Sequence, residues 1–307
     1  MKLVTRQTYG DRVDWPAIVD AIDAGHRMSP AQIEDVFLGP PGRTLLSRAA
    51  WIEGLGYGVK SVTVMGDNAQ RGLPTVQGAM LVFHDRDGSL IATIDSSLVT
   101  DLKTAADSAL GARYLARKDS TSLLIVGAGQ VARNVAAAYR QIFPGLDHIS
   151  LWNRTAEKAR ALASSLSAEG LPATAVTDLA DAAGQADIIV TATMSTDPVL
   201  KGDWINPGTH VDLIGAFRAE MREADDALLQ KARIFVDSRD TTLHHIGELK
   251  IPLESGAIRE TDILADLYQL NAGHRGRESA QDITVFKNGG GAHLDLMTAF
   301  AILGDAE

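Results

Sequence analysis

The chain of 307 residues has no cysteine, no surplus of positive charge and no long apolar run. The lack of cysteine excludes disulfides, thiolate catalysis and cysteine-ligated metal sites. A formal net charge of −10 argues against nucleic-acid and anionic-membrane partners, although it allows a local basic pocket. No apolar run approaches the length of a membrane span, and the N-terminal residues lack the apolar core of a signal peptide. We therefore expect a cytoplasmic protein.

The most informative motif is a glycine turn within residues 122–155, which read SLLIVGAGQVARNVAAAYRQIFPGLDHISLWNRT. An apolar strand precedes the turn, a helix follows it, and a second apolar strand comes at the distance expected of a dinucleotide-binding unit. Gly127 would make the tight turn, and Gly129 would let the backbone approach a pyrophosphate at the helix N-terminus. Ala132 would let helix and strand pack closely. Glycine turns also occur without a ligand, but this order favours a cofactor contacted by Gly127, Gly129, Gln130 and Val131.

The end of the second strand indicates which cofactor binds. His148 to Trp152 is followed by Asn153, Arg154 and Thr155, and not by the acidic residue that binds a ribose 2′-hydroxyl. A guanidinium between two uncharged hydrogen-bonding side chains suits a 2′-phosphate, and Lys158 would add positive charge. We expect NADPH, with NADH as the alternative. In the simpler interpretation Arg154 is solvated and Thr155 caps the next helix.

Two patterns divide the chain. The first hundred residues combine helices predicted at 14–25 and 30–38 with strand-like runs at 45–51, 57–65, 78–83 and 89–94, which is typical of an α+β unit. After a long helix at 101–117, strands and helices alternate as in a doubly wound parallel sheet. We predict an α/β fold with a Rossmann-type NAD(P)-binding domain over residues 116–291. A discontinuous α+β domain for substrate binding and dimerisation would comprise residues 1–115 and 292–307.

Basic residues of the first domain are candidates for binding an anionic substrate. Arg43 follows a Pro-Pro-Gly turn, and Lys60 lies inside an apolar run, where a lysine needs a wet face or a partner. Lys103 stands near the start of a helix, where a cation opposes the helix dipole unless an anion binds there. An outward-facing strand lysine and a solvated first-turn lysine are the simpler alternatives.

Other candidates lie in the second domain. Thr191, Thr193 and Met194 end a parallel strand, where cofactor contacts cluster, although they could be ordinary strand residues. Gly289 to Gly291 would let the backbone pass near a nicotinamide, but a glycine-rich helix entry needs no ligand. His244 and His245 do not form a metal pair, because adjacent helical residues do not share a face and no carboxylate follows at ligand spacing. We expect no metal site.

Long blocks of the sequence resemble the ornithine cyclodeaminase/μ-crystallin family. They are GVKSVTVMGDNAQRGLPTVQG, IDSSLVTDLKTAADSALGARYLAR, VGAGQVA, LWNRT, ATMSTDPVL, HVDLIGAFRAEMREAD, RIFVDS and FKNGGGAHLDLMTA. Members of that family move a hydride between the nicotinamide and the α-carbon of an amino or imino acid. The resemblance implies that Arg43 and Lys60 hold the substrate carboxylate and polarise the reacting group. It also implies a homodimer, and it places Thr191, Thr193 and Met194 beside the nicotinamide ribose.

Two positions depart from the family pattern. Lys103 replaces the arginine of an LRTAA-like block, so it keeps the charge and loses the bidentate fork. Phe217 replaces the aspartate with which cyclodeaminases handle the substrate amines. The resemblance therefore implies an NADPH-dependent reductase of a cyclic ketimine carboxylate, of the Δ1-pyrroline-2-carboxylate type. The alternatives are an ornithine cyclodeaminase, an amino-acid dehydrogenase, and a non-catalytic NADPH-binding protein of the crystallin kind.

Overall fold

The computed structural model describes residues 1–10 and 13–304. Its strands are β1 (Lys2–Val4), β2 (Gln32–Leu38), β3 (Arg43–Ile52), β4 (Gly56–Met65), β5 (Val76–Phe83), β6 (Leu90–Asp95), β7 (Ser122–Val126), β8 (His148–Trp152), β9 (Ala173–Ala175), β10 (Ile188–Thr191), β11 (His210–Leu213), β12 (Arg233–Val236), β13 (Ile263–Ala265) and β14 (Thr284–Lys287). Its α-helices are α1 (Arg6–Tyr9), α2 (Trp15–Gly25), α3 (Ser96–Leu115), α4 (Gln130–Ile142), α5 (Ala156–Ala168), α6 (Leu179–Gln185), α7 (Asp226–Lys231), α8 (Arg239–Thr242), α9 (Gly247–Ser255), α10 (Leu267–Asn271) and α11 (Ala292–Leu303).

The chain divides into two compact units. The first unit comprises Met1–Lys103 and Gly291–Glu307, and the second comprises Thr104–Gly290. The division falls inside α3, whereas the sequence suggested a boundary after that helix. Residues 11, 12 and 305–307 of the predicted first domain lie outside the described residues.

The first unit is built on a six-stranded sheet with the order β1-β6-β5-β4-β3-β2. The strands from β2 to β6 pair antiparallel, and β1 joins β6 in parallel. Helices α2 and α11 pack together, and α11 also packs against β2, β3 and β4. The inner face of the sheet is therefore the one that carries Ala50, Ile52 and Val62, all buried.

One predicted helix is wrong. Residues 30–38 were expected to be helical, but Gln32–Leu38 form β2, paired with β3 along its whole length. Ile33, Val36 and Phe37 have helical spacing, but in so short a window the apolar pattern cannot separate helix from strand. The turn after Leu38 decides between them, because Gly39 has a positive φ of 101° and returns the chain to β3.

The second unit contains an eight-stranded sheet with the order β13-β12-β14-β11-β10-β7-β8-β9, and all of its pairings are parallel. The predicted doubly wound parallel sheet is thus confirmed. The chain winds outward from β7 to β9 and then restarts at β10 on the other side of β7. Ligands of such sheets bind beyond the carboxyl ends of the strands at this switch point, which lies between β7 and β10.

None of the helices that the structure describes is long and apolar enough to cross a bilayer.

Candidate functional site

The glycine turn connects β7 to α4 at the switch point of the parallel sheet. Gly127 has φ 136°, and a Cβ added there would lie 2.5 Å from the Ala192 carbonyl oxygen, so a close backbone approach requires glycine. Gly129 is the N-cap residue of α4, and a Cβ added there would meet nothing within 4 Å. The first glycine therefore serves the packing of the turn. The second borders open space at a helix N-terminus, where backbone N–H groups favour an anion.

A cavity of about 390 Å³ adjoins this turn, lined by Ala128, Gly129, Gln130, Arg133, Lys158, Ala161 and Leu162. Arg133 is occupied within the protein, because it donates to Glu169 at 2.5 Å and to Ser165 at 2.6 Å. The Lys158 ammonium, by contrast, has no hydrogen bond or ion pair with any residue that the structure describes. The cavity therefore offers an uncommitted cation beside the N-terminus of α4.

The segment after β8 presents Asn153, Arg154 and Thr155 before α5 begins. The Asn153 amide donates to the Thr155 carbonyl at 2.9 Å. Arg154 is exposed and has no partner among the described side chains. Thr155 occupies the N-cap of α5, but its hydroxyl makes no capping bond there. The capping role is thus not observed, and both Arg154 and Lys158 keep their donors for a ligand.

Beyond the end of β10, a buried carboxylate fixes the predicted cofactor residues. Glu223 is fully buried and accepts from the Thr191 hydroxyl at 2.7 Å, the Thr193 N–H at 2.6 Å and the Thr193 hydroxyl at 2.7 Å. It also accepts from the Gly215 N–H after β11 at 2.5 Å. Met194, which follows, is 70% exposed. Glu223 therefore ties together the two loops beside the switch point.

A second layer of buried charges supports these loops. Glu248 accepts from the backbone N–H groups of Glu223 at 2.7 Å and Ala224 at 3.0 Å. Burial, and next the charge of Glu223, raise the pKa of Glu248 to about 7. Lys287 is also fully buried, and its ammonium donates to the carbonyls of Leu213 and Asn288 at 2.8 and 2.6 Å.

The glycine run after β14 is held in the same way. Asp237 accepts from the N–H groups of Gly289 at 2.8 Å and Gly290 at 2.5 Å. The backbone donors of these two glycines are thus engaged within the protein. Sequence reasoning missed Glu223, Glu248 and Asp237. Glu223 lies in a block that carries the family resemblance, and no local pattern distinguished these three from solvated acids.

In the first unit, two of the predicted substrate residues come together. Lys60 on β4 is only 6% exposed, and it donates to Asp295 of α11 at 2.6 Å and to the Thr100 hydroxyl at 3.3 Å. The lysine therefore points into the unit, and the outward-facing alternative does not apply. Lys103 is 7% exposed, and its charge acts on both Lys60 and Asp295. The Lys103 ammonium makes no hydrogen bond or ion pair within the described part of the chain.

A third cation, Arg48, joins this pair, although the sequence reasoning overlooked it. Arg48 pairs with Lys60 across β3 and β4, so both side chains lie on the inner face of the sheet. Its guanidinium binds Asp35 at 2.8 Å, and its charge also acts on Lys60 and Asp295. The signal for Arg48 was in the sequence, since a charged residue within the β3 run needed the same explanation as Lys60.

Arg43 is not brought to this cluster. It pairs with Met65, five positions from Arg48 along an unbroken ladder, so it lies on the outer face and about 16 Å along the strand. It is exposed beside a cavity of about 460 Å³, which it lines with Gly42, Met65, Asp67, Asn68 and Arg71. We name Arg48, Lys60, Lys103 and Asp295 together the basic cluster.

Two histidines lie next to the basic cluster. His293 of α11 and His26, which follows α2, meet edge to face with their ring centroids 5.9 Å apart. Burial, and then the charges of His26 and Lys103, lower the pKa of His293 to about 3. His293 is therefore neutral at physiological pH and adds no charge to the cluster.

The remaining candidates stand apart from these arrangements. His244 and His245 lie in a turn and not on a helix. Within residues 1–10 and 13–304, no group of three His, Cys, Asp or Glu side chains is placed to hold a metal ion. Phe217 is 56% exposed, and the Arg218 guanidinium lies 5.3 Å from the centroid of its ring.

The family model for the ornithine cyclodeaminase/mu-crystallin family matches residues 47–307. A Delta(1)-pyrroline-2-carboxylate reductase from Paracoccus denitrificans is 58% identical over 296 residues, which cover 95% of this chain and 94% of that protein.

Solved structures agree over nearly the whole chain. The Thermococcus litoralis Delta(1)-pyrroline-2-carboxylate reductase, in complex with NADH and L-proline, superposes with a TM-score of 0.90 at 27% identity and covers 98% of this chain and 96% of its own. An archaeal alanine dehydrogenase dimer with bound NAD has a TM-score of 0.90 at 28% identity, with 98% and 94% coverage. The chain belongs to the ornithine cyclodeaminase/mu-crystallin family.

Proposed function

We propose that this protein is an NADPH-dependent reductase of a cyclic ketimine carboxylate of the Δ1-pyrroline-2-carboxylate type, with a cyclic amino acid such as proline as its product. The basic cluster carries the proposal. A buried cation is costly unless an anion accompanies it, and Asp295 alone does not balance the two buried cations Lys60 and Lys103, while the half-buried Arg48 already pairs with Asp35. A substrate carboxylate fits this surplus of charge. The Paracoccus denitrificans reductase, at 58% identity, supports the same activity.

The residues of the basic cluster would divide the work of binding. The Lys103 ammonium makes no hydrogen bond or ion pair in the described chain, so its donors are available for the substrate carboxylate. Arg48 adds a planar guanidinium that is already oriented by Asp35. Lys60 is held in place by its hydrogen bond to Asp295, and it would add positive charge to the substrate site. A ketimine that arrives protonated needs no further general acid, and binding between these cations orients its C=N bond.

The glycine turn and its surroundings would hold the cofactor. Gly127 and Gly129 shape the N-terminus of α4 for the pyrophosphate, with Gln130 and Val131 as the first helical residues. The nicotinamide half would contact the residues at the end of β10, which are Thr191, the last residue of the strand, and Thr193 and Met194, which follow it. The nicotinamide, when bound, supplies the hydride that reduces the C=N carbon.

Preference for NADPH would come from Arg154 and Lys158, both without protein partners in the described chain. Loss of one charge-assisted hydrogen bond to a 2′-phosphate costs ~1.5–3 kcal/mol, so Arg154→Asp should shift the kcat/KM ratio toward NADH at least about tenfold. Arg160→Asp, on the helix α5 that follows Arg154, is the control, because Arg160 already pairs with Glu157. An unchanged cofactor ratio in Arg154→Asp would remove the phosphate role from Arg154.

One assay separates the candidate activities. The purified protein is given NADPH with Δ1-pyrroline-2-carboxylate, and in parallel NAD⁺ with L-ornithine. We expect oxidation of NADPH to follow the imine and no release of ammonia from ornithine, since Phe217 supplies no carboxylate for the substrate amines. Ammonia release would instead indicate a cyclodeaminase, and binding of NADPH without turnover would indicate a crystallin-like binding protein. Either result would overturn the proposal.

Two arginines of β3 provide a matched test of the substrate site. Arg48→Ala should raise the KM for the ketimine about tenfold or more, because a charge-assisted contact is worth ~1.5–3 kcal/mol. Arg43→Ala should raise it less, since Arg43 lies on the outer face of the same strand. A larger effect of Arg43→Ala would restore the role that the family resemblance implied for it.

We further propose a homodimer formed through the outer face of the six-stranded sheet. Val36, Leu38, Leu45 and Tyr57 lie on that face and are 37–58% exposed, an apolar area that a monomer rarely leaves open. The archaeal alanine dehydrogenase with a TM-score of 0.90 is described as a dimer, which supports a dimeric state. Leu38→Glu should convert the dimer to a monomer in light scattering. Leu73→Glu, at an exposed position outside the strands, is the control.

A further inference from the structure

We propose that Asp295 is a positioning residue, which holds the Lys60 ammonium charged and in place and so sets the upper pH limit for binding the substrate carboxylate. This inference rests on the proposed function, because it assigns a task to the same basic cluster. Asp295 itself would not touch the substrate. It would act through Lys60.

Lys60 and Asp295 form a short and buried ion pair. Lys60 Nζ lies 2.6 Å from Asp295 Oδ1, and the two residues are 6% and 1% exposed. Asp295 is 235 positions along the chain from Lys60, so the contact joins the middle of β4 to the first turn of α11. The second carboxylate oxygen, Oδ2, is buried and bonds to no described group. Among the described residues, the Asp295 side chain thus forms its hydrogen bond with Lys60.

The surroundings of Lys60 would otherwise favour its neutral form. Arg48 faces it from β3 and Lys103 from α3, and both are cations. From α11, His293 is neutral, as its low pKa of about 3 requires, and His26 packs against that ring. Among the described groups that act on Lys60, Asp295 is therefore the one that supplies negative charge.

The balance of these effects gives the direction. Burial lowers the pKa of Lys60, Asp295 opposes this, and Lys103 and Arg48 lower it further. For Asp295, burial alone would raise the pKa, but Lys60, Lys103 and Arg48 outweigh it, so the pKa is lowered. The carboxylate therefore stays ionised at neutral pH. Its removal leaves Lys60 with burial and two repelling cations.

A purely structural tie between β4 and α11 is the rival explanation, and the pH dependence separates the two. Asp295→Asn keeps the size and one acceptor but removes the charge. If Asp295 only ties the helix to the strand, the variant changes stability and leaves the titration of Lys60 where it was. If it holds Lys60 charged, the titration shifts downward by ~1–3 pH units, the range for loss of a close opposite charge.

The experiment follows Lys60 directly and the ligand separately. The ¹³Cε resonance of Lys60, assigned with Lys60→Arg in protein labelled on lysine, is titrated in the wild type, Asp295→Asn, Asp295→Glu and Asp23→Asn. Asp23 is the matched control, because it is a buried carboxylate of the same unit that pairs with Arg27 at 2.5 Å. We expect the downward shift in Asp295→Asn alone, with a titration close to the wild type in Asp295→Glu and Asp23→Asn.

The second readout is the affinity for L-proline, measured by calorimetry with NADP⁺ present over the same pH range. In the wild type, the loss of this affinity at alkaline pH should coincide with the titration of Lys60. This comparison uses the wild type alone, so it does not depend on whether a variant folds. The role of Asp295 is overturned if the affinity for L-proline falls at a pH where Lys60 does not titrate. It is also overturned if the titration of the Lys60 resonance is not shifted in Asp295→Asn. A wild type that binds no L-proline and reduces no ketimine overturns the proposed function, while the resonance of Lys60 still reports on Asp295.

Discussion

Substitution of Gly129 by alanine separates cofactor binding from the stability of the glycine turn. Gly129 has φ −95°, which alanine adopts without strain, and its added Cβ meets nothing within 4 Å. Alanine is a poorer N-cap than glycine by ~0.5–1 kcal/mol, but it lowers the entropy of the unfolded chain by a similar ~0.4–1 kcal/mol. The free energy of unfolding should therefore change by less than ~0.5 kcal/mol.

The affinity for NADPH should fall sharply in the same variant. The new methyl group stands at the N-terminus of α4, where a pyrophosphate oxygen would accept a hydrogen bond from a backbone N–H group. Loss of one such bond costs ~1.5–3 kcal/mol, which raises the Kd for NADPH about 10- to 150-fold. Titration of tryptophan fluorescence with NADPH measures the Kd, and urea unfolding measures the stability.

Gly127→Ala provides the contrast. Its φ of 136° costs ~1–2 kcal/mol for a residue with a Cβ, and the approach of 2.5 Å to the Ala192 oxygen adds ~1–3 kcal/mol of overpacking. Gly145→Ala is the neutral control, since its Cβ would lie 3.6 Å from the Ser120 oxygen. The reasoning is refuted if Gly129→Ala binds NADPH as tightly as the wild type, or if it unfolds as readily as Gly127→Ala.

Three further predictions concern the second unit. Glu223→Gln turns one acceptor into a donor that faces the N–H of Thr193 or Gly215, so the Kd for NADPH should rise about tenfold in fluorescence titration, with the ketimine KM nearly unchanged. Tyr139→Phe removes the hydroxyl that donates to buried Asp212 at 2.6 Å and should cost ~1–3 kcal/mol in urea unfolding. Glu248 has its pKa raised from 4.5 to about 7, so the stability it contributes is complete below pH 4.5 and is lost as the pH rises through 7. The free energy of unfolding of the wild type minus that of Glu248→Gln should thus fall by ~3 kcal/mol between pH 4.5 and 7. A difference that does not change with pH would contradict the raised pKa.

The sequence was most informative where function depends on the backbone. Gly127 and Gly129 occupy the turn between strand and helix that the sequence predicts for them, and at Gly127 the positive φ and the close backbone approach leave few other residue types possible. The alternation of apolar runs likewise predicted the parallel sheet. A local pattern suffices in these cases, since the constraint itself is local.

Contacts between distant segments could not be predicted in the same way. Asp295 meets Lys60 across 235 positions, and Glu223 reaches Thr191 across 32. Arg43 and Arg48 show a different difficulty. Both are arginines in one strand and lie five positions apart, so they are on opposite faces, and only the register with β4 reveals which of them pairs with Lys60. Phe37 and its neighbours were assigned to a helix for a related reason, because their partner strand was not known.

The buried carboxylates of the second unit bear on the choice between reduction and deamination. A cyclodeaminase must anchor and deprotonate the amines of a diamino acid, for which a carboxylate with an open oxygen is suited. Here Glu223 accepts hydrogen bonds from backbone N–H groups of two loops. Glu248 accepts from the N–H groups of Glu223 and Ala224, and Asp237 accepts from those of Gly289 and Gly290. These three acids are engaged in holding the backbone. The family resemblance implies that Phe217 stands where cyclodeaminases carry an aspartate, and a phenylalanine supplies no acid to bind an ammonium. This arrangement favours the reduction of an imine acid over the release of ammonia.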